Sequence, residues 1–179
     1  MTFATLGLAD TLLQSLETLG YKTPTPIQEQ AIPAILEGRD VMAAAQTGTG
    51  KTAGFALPIL HSLATDGVKV GSNSVRALAL VLVPTRELAE QVHASFRQYG
   101  EHTSVSTYAA YGGVSINPQM MRLRRGVDVL VATPGRLLDL YSQNALKLNK
   151  VQILVLDEAD RMLDLGFANE LDAVFAALP

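Results

Sequence analysis

The stretch "AQTGTGKT", from Ala45 to Thr52, concentrates glycines, threonines and one lysine. An apolar segment precedes it and a helical pattern follows it, so it is predicted to join a strand to a helix. The glycines let backbone N–H groups turn toward phosphate oxygens, which the helix N-terminus also attracts. Lys51 then supplies a charge for β- and γ-phosphates, and Thr52 a hydroxyl for Mg²⁺. Ala45 replaces the first glycine of the usual phosphate-binding pattern, and a glycine-rich turn with an exposed lysine is the simpler alternative.

The tetrapeptide "DEAD", Asp157 to Asp160, follows the apolar run "VQILVL" and therefore stands at the end of a predicted strand. A carboxylate at Asp157 can hold the same Mg²⁺ through water, and Glu158 can orient and deprotonate an attacking water. An acidic turn with Asp160 as a helix N-cap is the alternative. The phosphate-binding pattern earlier in the chain favours the catalytic interpretation.

Gln28 admits two interpretations. The segment "TPIQ" fits a capping box, in which Thr25 caps a helix and Pro26 takes its first position. A glutamine amide also presents a donor and an acceptor together, which matches the N6/N7 edge of adenine. The segment by itself favours the cap.

Arg86 and Arg136 each open a predicted helix directly after a strand. Each side chain can pair with a phosphate or with a nearby carboxylate, and the sequence leaves this choice open. The carboxylates nearest in the sequence are Glu87, Glu90 and Asp139. Two tight turns, Gly112–Gly113 and 133–135, present backbone amides that suit contact with a phosphodiester.

Apolar runs and helical patterns alternate along the chain, which predicts an α/β fold: a parallel sheet sandwiched by helices. The predicted strands are "DVMAAA", "ALALVLV", "SVSTYAAY", "VDVLVAT" and "VQILVLD". The predicted helices are Leu8–Leu19, Pro26–Leu36, 50–64, 85–100, 117–125, 135–143 and 168–178. Ligands of such folds bind beyond the carboxyl ends of the strands, where the polar clusters of this sequence stand. The segment "TDGVKVGSNS" is predicted to be the most mobile loop.

The composition of the chain excludes several classes of protein. The chain has 179 residues, 48% of them hydrophobic, which is ample for a sizeable core. It has no cysteine, which excludes a disulfide framework and a thiolate zinc site. No signal peptide or membrane-spanning run is apparent, and a cytoplasmic location is expected. The net charge of −3 argues against a generally basic nucleic-acid binder, although residues 86–136 hold six arginines against four acids.

Over essentially its whole length, the chain resembles the first RecA-like domain of DEAD-box RNA helicases, a P-loop NTPase fold, and most of all the bacterial members. Six motifs occur in the family's order. They are the Q motif "GYKTPTPIQ", motif I "AQTGTGKT", motif Ia "PTRELA", the GG motif "YGG", motif Ib "TPGR" and motif II "DEAD". The resemblance implies an ATP-dependent RNA helicase with ATP and Mg²⁺ as cofactors.

The resemblance assigns roles that the residues alone left open. Gln28 would recognise adenine, Tyr21 would stack on its ring, and Phe3 would support this pocket from upstream. Alanine at position 45 is the family's usual residue. The nucleotide contacts would be Gln46, Thr47, Gly48, Thr49, Gly50, Lys51 and Thr52, with Thr52 and Asp157 at the metal and Lys51, Asp157 and Glu158 in catalysis. Asp160 would couple motif II to motif III.

RNA would be bound through its sugar–phosphate backbone, without base readout and with an affinity that falls as salt rises. The implied contacts are Pro84, Thr85, Arg86, Gly112, Gly113, Thr133, Pro134, Gly135 and Arg136. The family's motif III, Ser-Ala-Thr, does not occur in the sequence, and neither do the motifs of a second RecA-like domain.

The predicted organisation is a helical segment, 1–38, packed on a RecA-like domain, 39–179, that is truncated before motif III. A second domain would supply an arginine finger, which contributes roughly 10³–10⁵ in rate, so this chain alone is expected to be nearly inactive. A missing strand would leave unpaired edges and favour a non-native dimer. Two other functions stay open: an RNA or protein interaction platform without nucleotide affinity, and a helicase that acts on DNA.

Overall fold

The computed structural model describes residues 1–44, 50–65 and 76–179. Its elements, in chain order, are a 3-10 helix Phe3–Leu6, α1 Asp10–Thr18, α2 Pro26–Leu36, α3 Lys51–Thr65, β1 Ala77–Leu82, α4 Arg86–Tyr99, β2 Thr107–Ala110, α5 Asn117–Leu123, β3 Val127–Ala132, α6 Pro134–Ser142, β4 Ile153–Leu156, α7 Ala159–Asp164 and α8 Ala168–Ala177. The chain divides into two compact units. The first unit comprises residues 1–68 and 94–105, and the second comprises 69–93 and 106–179.

The first unit is helical in its described residues. α2 packs on α3, where the methyl group of Ala31 lies 3.9 Å from the position that a Cβ on Gly54 would take. The rings of Phe55 and Phe96 lie 6.2 Å apart between centroids, which joins α3 to the end of α4. This packing fixes the start of α3, where the phosphate-binding stretch ends.

The second unit is built on a parallel sheet with the strand order β2-β3-β1-β4. Ala79 of β1 lies opposite Val129 of β3 on one side and Ile153 of β4 on the other. All of β1 is buried, which explains its continuous apolar run. Side chains of β1 and β3 pack with side chains of α5, α6 and α8 in one apolar core. Because the strands are parallel, their carboxyl ends share one edge of the sheet.

The predicted α/β class is confirmed by this parallel sheet flanked by helices. The observed helices and the four strands from "ALALVLV" onward agree with the predicted segments to within a few residues. α7 and the 3-10 helix were not predicted, because they are too short to show a helical period. The division into segments 1–38 and 39–179 stays a prediction.

The strand predicted at "DVMAAA" is wrong for its described part. Residues 40–44 form no strand, and Met42 is fully exposed. A strand needs a neighbour for its backbone N–H and C=O groups, and this segment has no pairing partner within the described residues. Ala45 and residues 66–74 of the loop predicted to be mobile lie outside the described part of the chain.

β4 forms one end of the sheet. It pairs with β1 on one side, its other side has no pairing partner in the described ranges, and its side chains are half-buried. Whether this open edge promotes association between chains stays a prediction. Among the described helices, none is long and apolar enough to span a bilayer.

Candidate functional site

The phosphate-binding stretch is described from Gly50 onward. The predicted contacts Gln46, Thr47, Gly48 and Thr49 lie outside the described residues. Lys51 and Thr52 form the first turn of α3, whose leading N–H groups have no partners within the helix. Gly50 has a φ of 79°, in the left-handed region that glycine adopts without strain. A Cβ at this position would collide with Nε2 of Gln28, so the site requires glycine.

Gln28 connects the start of α2 to the start of α3. Its Oε1 accepts a hydrogen bond from the Thr25 N–H at 3.0 Å, which confirms the predicted capping box. Its Nε2 donates to the Gly50 carbonyl at 3.0 Å, and its side chain is only 4% exposed. Each amide atom thereby uses one of its two hydrogen-bonding positions. The remaining lone pair and N–H are the combination that matches the adenine edge.

Tyr21 is 49% exposed, and its ring rests edge-on against Tyr99 with 6.2 Å between centroids. Tyr99 is buried, and its burial, reinforced by the Tyr21 hydroxyl, raises the pKa of Tyr99 to about 12. The contact holds the Tyr21 ring in place while half of its surface stays open. Phe3 is buried in the 3-10 helix, which is consistent with a supporting role.

Asp157 follows β4 at the carboxyl edge of the sheet and is 4% exposed. Its N–H donates to the Leu82 carbonyl at 3.0 Å, which extends the pairing with β1 by one residue. Glu158 has φ 56° and ψ 50°, a left-handed conformation that costs a residue with a side chain roughly 1–2 kcal/mol. Asp160 is exposed in the first turn of α7, where Glu158 occupies the N-cap position, so the N-cap alternative for Asp160 is wrong.

Arg86 contacts two side chains near the carboxyl edge. Its guanidinium lies over the Tyr111 ring, 5.1 Å from the centroid, and its Nε lies 3.9 Å from Oε1 of Glu90. The Tyr111 hydroxyl donates to the same oxygen at 2.6 Å, and this hydrogen bond raises the pKa of Tyr111. The pairing with Glu90 that the sequence left open is therefore present. Both partners are about half exposed, so the pair is worth less than about 1 kcal/mol, and Arg86 can exchange it for a phosphate.

Arg136 makes stronger contacts within the protein. Its Nη1 donates to Oε1 of Gln119 at 2.9 Å, and its Nη2 donates to the Val114 carbonyl at 2.9 Å. Gln119 is 5% exposed, and its Nε2 donates to the Tyr111 carbonyl at 3.1 Å. Within the described residues, the buried Nε of Arg136 has no hydrogen-bond partner. Arg136 and Gln119 therefore hold the glycine-containing turn that follows β2.

The turns at the carboxyl edge leave open space for a ligand. No heavy atom of the described residues lies within 4 Å of a Cβ built on Gly112, Gly113 or Gly135, apart from their chain neighbours and, for Gly135, the backbone of α6 itself. The hydroxyl of Thr133, at the start of α6, makes no capping hydrogen bond, whereas Thr85 caps α4 by accepting from the Leu88 N–H at 3.2 Å. The predicted contacts Pro84 and Pro134 are buried. Their side chains therefore contribute by fixing the backbone conformation of the turns and not by touching a ligand.

Comparison with known proteins places the chain in a family. The family model described as DEAD/DEAH box helicase matches residues 25–179. The chain belongs to the DEAD/DEAH box helicase family. The match begins at the capping residue of α2 and covers all strands of the sheet.

Individual helicases of this family align over nearly the whole chain. The chain is 44% identical over 178 residues to the DEAD-box ATP-dependent RNA helicase RhpA of Helicobacter pylori, covering 99% of this chain and 35% of the relative. It is 43% identical to the DEAD-box ATP-dependent RNA helicase CshA of Bacillus cereus, with 99% and 33% covered. The chain thus spans about a third of the length of these relatives.

In this helicase-family chain two supporting residues, Gln119 and Tyr99, were not predicted from the sequence. Each acts by holding a residue that the motifs did predict, and each lies on a helix outside those motifs. For Gln119 the one available signal was an amide side chain within an otherwise apolar and basic segment, "PQMMRLRR". That signal is weak, because exposed glutamines are common on helix surfaces.

Proposed function

We propose that this chain is the adenine-nucleotide-binding and RNA-binding part of an ATP-dependent RNA helicase that works in the cytoplasm. Family membership supports the helicase assignment, and the relatives named above are DEAD-box ATP-dependent RNA helicases. The observation that carries the nucleotide assignment is the hydrogen bond from Gln28 to the Gly50 carbonyl. It joins the residue suited to adenine directly to the loop suited to phosphates.

In the first unit, Gln28 would bind the N6/N7 edge of adenine with its free lone pair and N–H, while Tyr21 stacks on the ring. Lys51 would offset the charge of the β- and γ-phosphates at the N-terminus of α3. The Thr52 hydroxyl is an oxygen donor of the kind that Mg²⁺ accepts. The requirement for glycine at position 50 fits a backbone that must turn closely around a ligand.

In the second unit, Asp157 and Glu158 have different tasks. Asp157 is a buried carboxylate at a strand end, an oxygen donor that suits Mg²⁺ held through water. Bound Mg²⁺ would supply charge neutralisation for the phosphates. Glu158 would orient the attacking water and accept its proton. Its left-handed backbone supports this role, because such strain concentrates at functional sites.

The carboxyl edge would bind one RNA strand through its phosphates. Arg86 would exchange its exposed pair with Glu90 for a phosphate, and the open turns at Gly112, Gly113 and Gly135 would offer backbone N–H groups. Arg136 would act mainly by holding the turn after β2, since both of its Nη atoms have partners there. Contacts of this kind bind RNA without regard to base sequence.

Duplex separation would need a second RecA-like domain, which supplies an arginine finger and the other half of the RNA site. ATP and RNA binding would then close the two domains, and Asp160 would couple that closure to the nucleotide. Without such a domain the chain is expected to bind nucleotide weakly and to hydrolyse it very slowly.

Titration calorimetry with ADP and GDP tests the nucleotide half of the proposal. ADP is expected to bind and GDP to bind at least tenfold more weakly, because guanine presents two acceptors, O6 and N7, on this edge and leaves Oε1 of Gln28 without a donor. Lys51→Ala should abolish ADP binding, whereas Glu158→Gln should preserve it. Equal affinity for ADP and GDP would contradict the adenine assignment.

Competition between RNA and DNA strands of one sequence tests the nucleic-acid half. RNA is expected to displace a labelled RNA strand more effectively than DNA does. Equal competition by DNA would favour a DNA substrate. Salt-dependent RNA binding that survives Lys51→Ala, in a chain without ADP affinity, would favour an interaction platform.

A further inference from the structure

Cationic side chains gather at the edge of the sheet where the strands begin, opposite the edge that holds the motifs. We call this group the amino-edge cluster. It consists of Arg76, Arg122, Arg124, Arg125, Lys147 and Lys150. All of its members belong to the second unit.

The sheet topology brings these residues together. The starts of β3, β1 and β4 are neighbours in the strand order. β3 is preceded by Arg124 and Arg125, β1 by Arg76, and β4 by Lys150. Arg76 and Lys147 form an isolated parallel bridge, and the Arg76 carbonyl accepts from the Val127 N–H at 3.1 Å. Neighbouring strands lie about 4.8 Å apart, so three adjacent strand starts span roughly 10 Å.

Arg122 shows that the cluster holds like charges close together. Its Nη1 donates to the Gly126 carbonyl at 3.1 Å, and its guanidinium lies over the Tyr108 ring, 5.4 Å from the centroid. Burial and the charge of Arg125 lower the pKa of Arg122, and the charges of Tyr108 and Asp128 offset only part of this shift. A polyanion at this edge would relieve the repulsion between the two arginines.

Few carboxylates lie at this edge to neutralise the charge of the cluster. Among the described acids of the second unit, only Asp128 belongs to the beginning of a strand, and its carboxylate accepts hydrogen bonds from the Ser106 N–H at 2.8 Å and hydroxyl at 3.2 Å. No cluster member forms an ion pair with a carboxylate among the described residues, and all except Arg122 are exposed. The edge is therefore strongly positive in a chain whose net charge is −3.

We propose that the amino-edge cluster is a second binding surface for the phosphate backbone of RNA. Four of its members are arginines, whose planar guanidinium groups match phosphate oxygens in pairs. The length of β1 separates it from the motif edge by roughly 20 Å, so it is a distinct surface. The proposal rests on the proposed function. RNA held at the motif edge would be at high effective concentration for the cluster, which favours RNA over acidic proteins or lipids as the occupant.

Charge reversal tests the proposal on the whole chain, with a fluorescently labelled oligouridylate as the probe. Affinity is measured by anisotropy across a range of salt concentrations for Arg124→Glu/Arg125→Glu. The control, Arg39→Glu/Arg161→Glu, makes the same change in net charge at exposed arginines outside both RNA surfaces. The cluster variant is expected to lose on the order of tenfold in affinity and about 1–2 units of the slope of log K against log salt. The control should stay within about twofold of the wild type.

The outcomes separate this proposal from the proposed function. Weaker RNA binding by Gly135→Ala, with unchanged affinity and slope in the cluster variant, would overturn the cluster proposal alone. No salt-dependent RNA binding by the wild type would overturn both. In the alternative outcome, the cluster is needed for binding to phosphatidylserine vesicles or polyglutamate and not to the oligouridylate. That result would overturn RNA as the ligand of the cluster and assign a lipid surface or an acidic peptide in its place. If Arg124→Glu/Arg125→Glu does not fold, Lys147→Glu/Lys150→Glu gives the same test at the start of β4.

Discussion

Each of the two units holds its candidate functional residues with a buried glutamine, and the two glutamines do so in different ways. Gln28 in the first unit bonds to the N–H of its own helix cap and to the Gly50 carbonyl. Gln119 in the second unit bonds to the Tyr111 carbonyl and to the Arg136 guanidinium. Both bridge two motifs of the helicase family. Gln28 belongs to a motif itself, whereas Gln119 stands between motifs.

The different hydrogen-bond partners predict different roles for the two glutamines in ligand binding. In the proposed function Gln28 would use its remaining lone pair and N–H to contact adenine, so removing it should change which base is bound. Gln119 is enclosed by its protein partners and positions Arg136 and the turn after Tyr111. Removing it should weaken RNA binding without any change in nucleotide selectivity.

The largest expected effect is that of Gly50→Ala on the Gln28 side. The new methyl group would collide with Nε2 of Gln28, and the left-handed backbone adds roughly 1–2 kcal/mol of strain. We expect ADP binding to fall on the order of a hundredfold or more while the chain stays folded. Calorimetry with circular dichroism as the folding control measures this. Full ADP affinity in the folded variant would show that ADP binding does not depend on the contact between Gln28 and Gly50.

A second prediction is that the two glutamines affect different ligands, Gln119 the RNA and Gln28 the nucleotide. Gln119→Leu leaves Nη1 of Arg136 and the Tyr111 carbonyl without their Gln119 partner, which costs roughly 1–3 kcal/mol of unfolding free energy. RNA affinity should fall on the order of tenfold with ADP affinity unchanged, whereas Gln28→Leu should weaken ADP binding and leave RNA binding intact. Anisotropy and calorimetry on both variants give the two affinities.

Gln119→Glu refines this test, because a carboxylate still accepts from Arg136 but cannot donate to the Tyr111 carbonyl. Partial recovery of RNA affinity relative to Gln119→Leu would assign the effect to the position of Arg136. Equal loss of ADP and RNA affinity in both Gln119 variants would reduce Gln119 to a residue needed only for folding.

The two glutamines also show what the sequence can predict. Gln28 makes its first bond within its own helix turn, so the capping box was visible in "TPIQ". The bonds of Gln119 to Tyr111 and Arg136 depend on how α5 packs beside the sheet, which no local pattern encodes. The same limit explains "DVMAAA": its apolar residues favour a strand, but strand formation depends on a neighbouring strand that the described residues do not provide. Buried runs with partners on both sides, such as β1, were predicted correctly.

A third prediction concerns the tyrosine that supports the Gln28 side. The pKa of Tyr99 is about 12 in the folded chain against 10.0 when unfolded, so unfolding releases a proton between these pH values. The stabilising effect of the neutral phenol is therefore complete below pH 10 and is lost as the pH rises toward 12, by up to about 2 kcal/mol. Tyr99→Phe should flatten this alkaline decline in unfolding free energy, as measured by urea denaturation. An unchanged slope would show that the Tyr99 hydroxyl is more solvated than its burial indicates.

The smallest expected change in stability, Gly135→Ala, gives the sharpest contrast with Gly50→Ala. Apart from its chain neighbours and the backbone of its own helix, no described atom lies within 4 Å of the added methyl group, and alanine favours a helix over glycine by roughly 0.5–1 kcal/mol. The variant should therefore unfold at a slightly higher urea concentration than the wild type. RNA affinity should nevertheless fall several-fold, because the methyl group occupies the space through which a phosphate approaches the N-terminus of α6. A chain that gains stability and loses RNA affinity cannot owe that loss to misfolding, so this one substitution separates an open binding turn from a structural one. Unchanged RNA affinity would instead remove Gly135 from the RNA surface and leave the Gln119 side with Arg86 and the Gly112–Gly113 turn as its contacts.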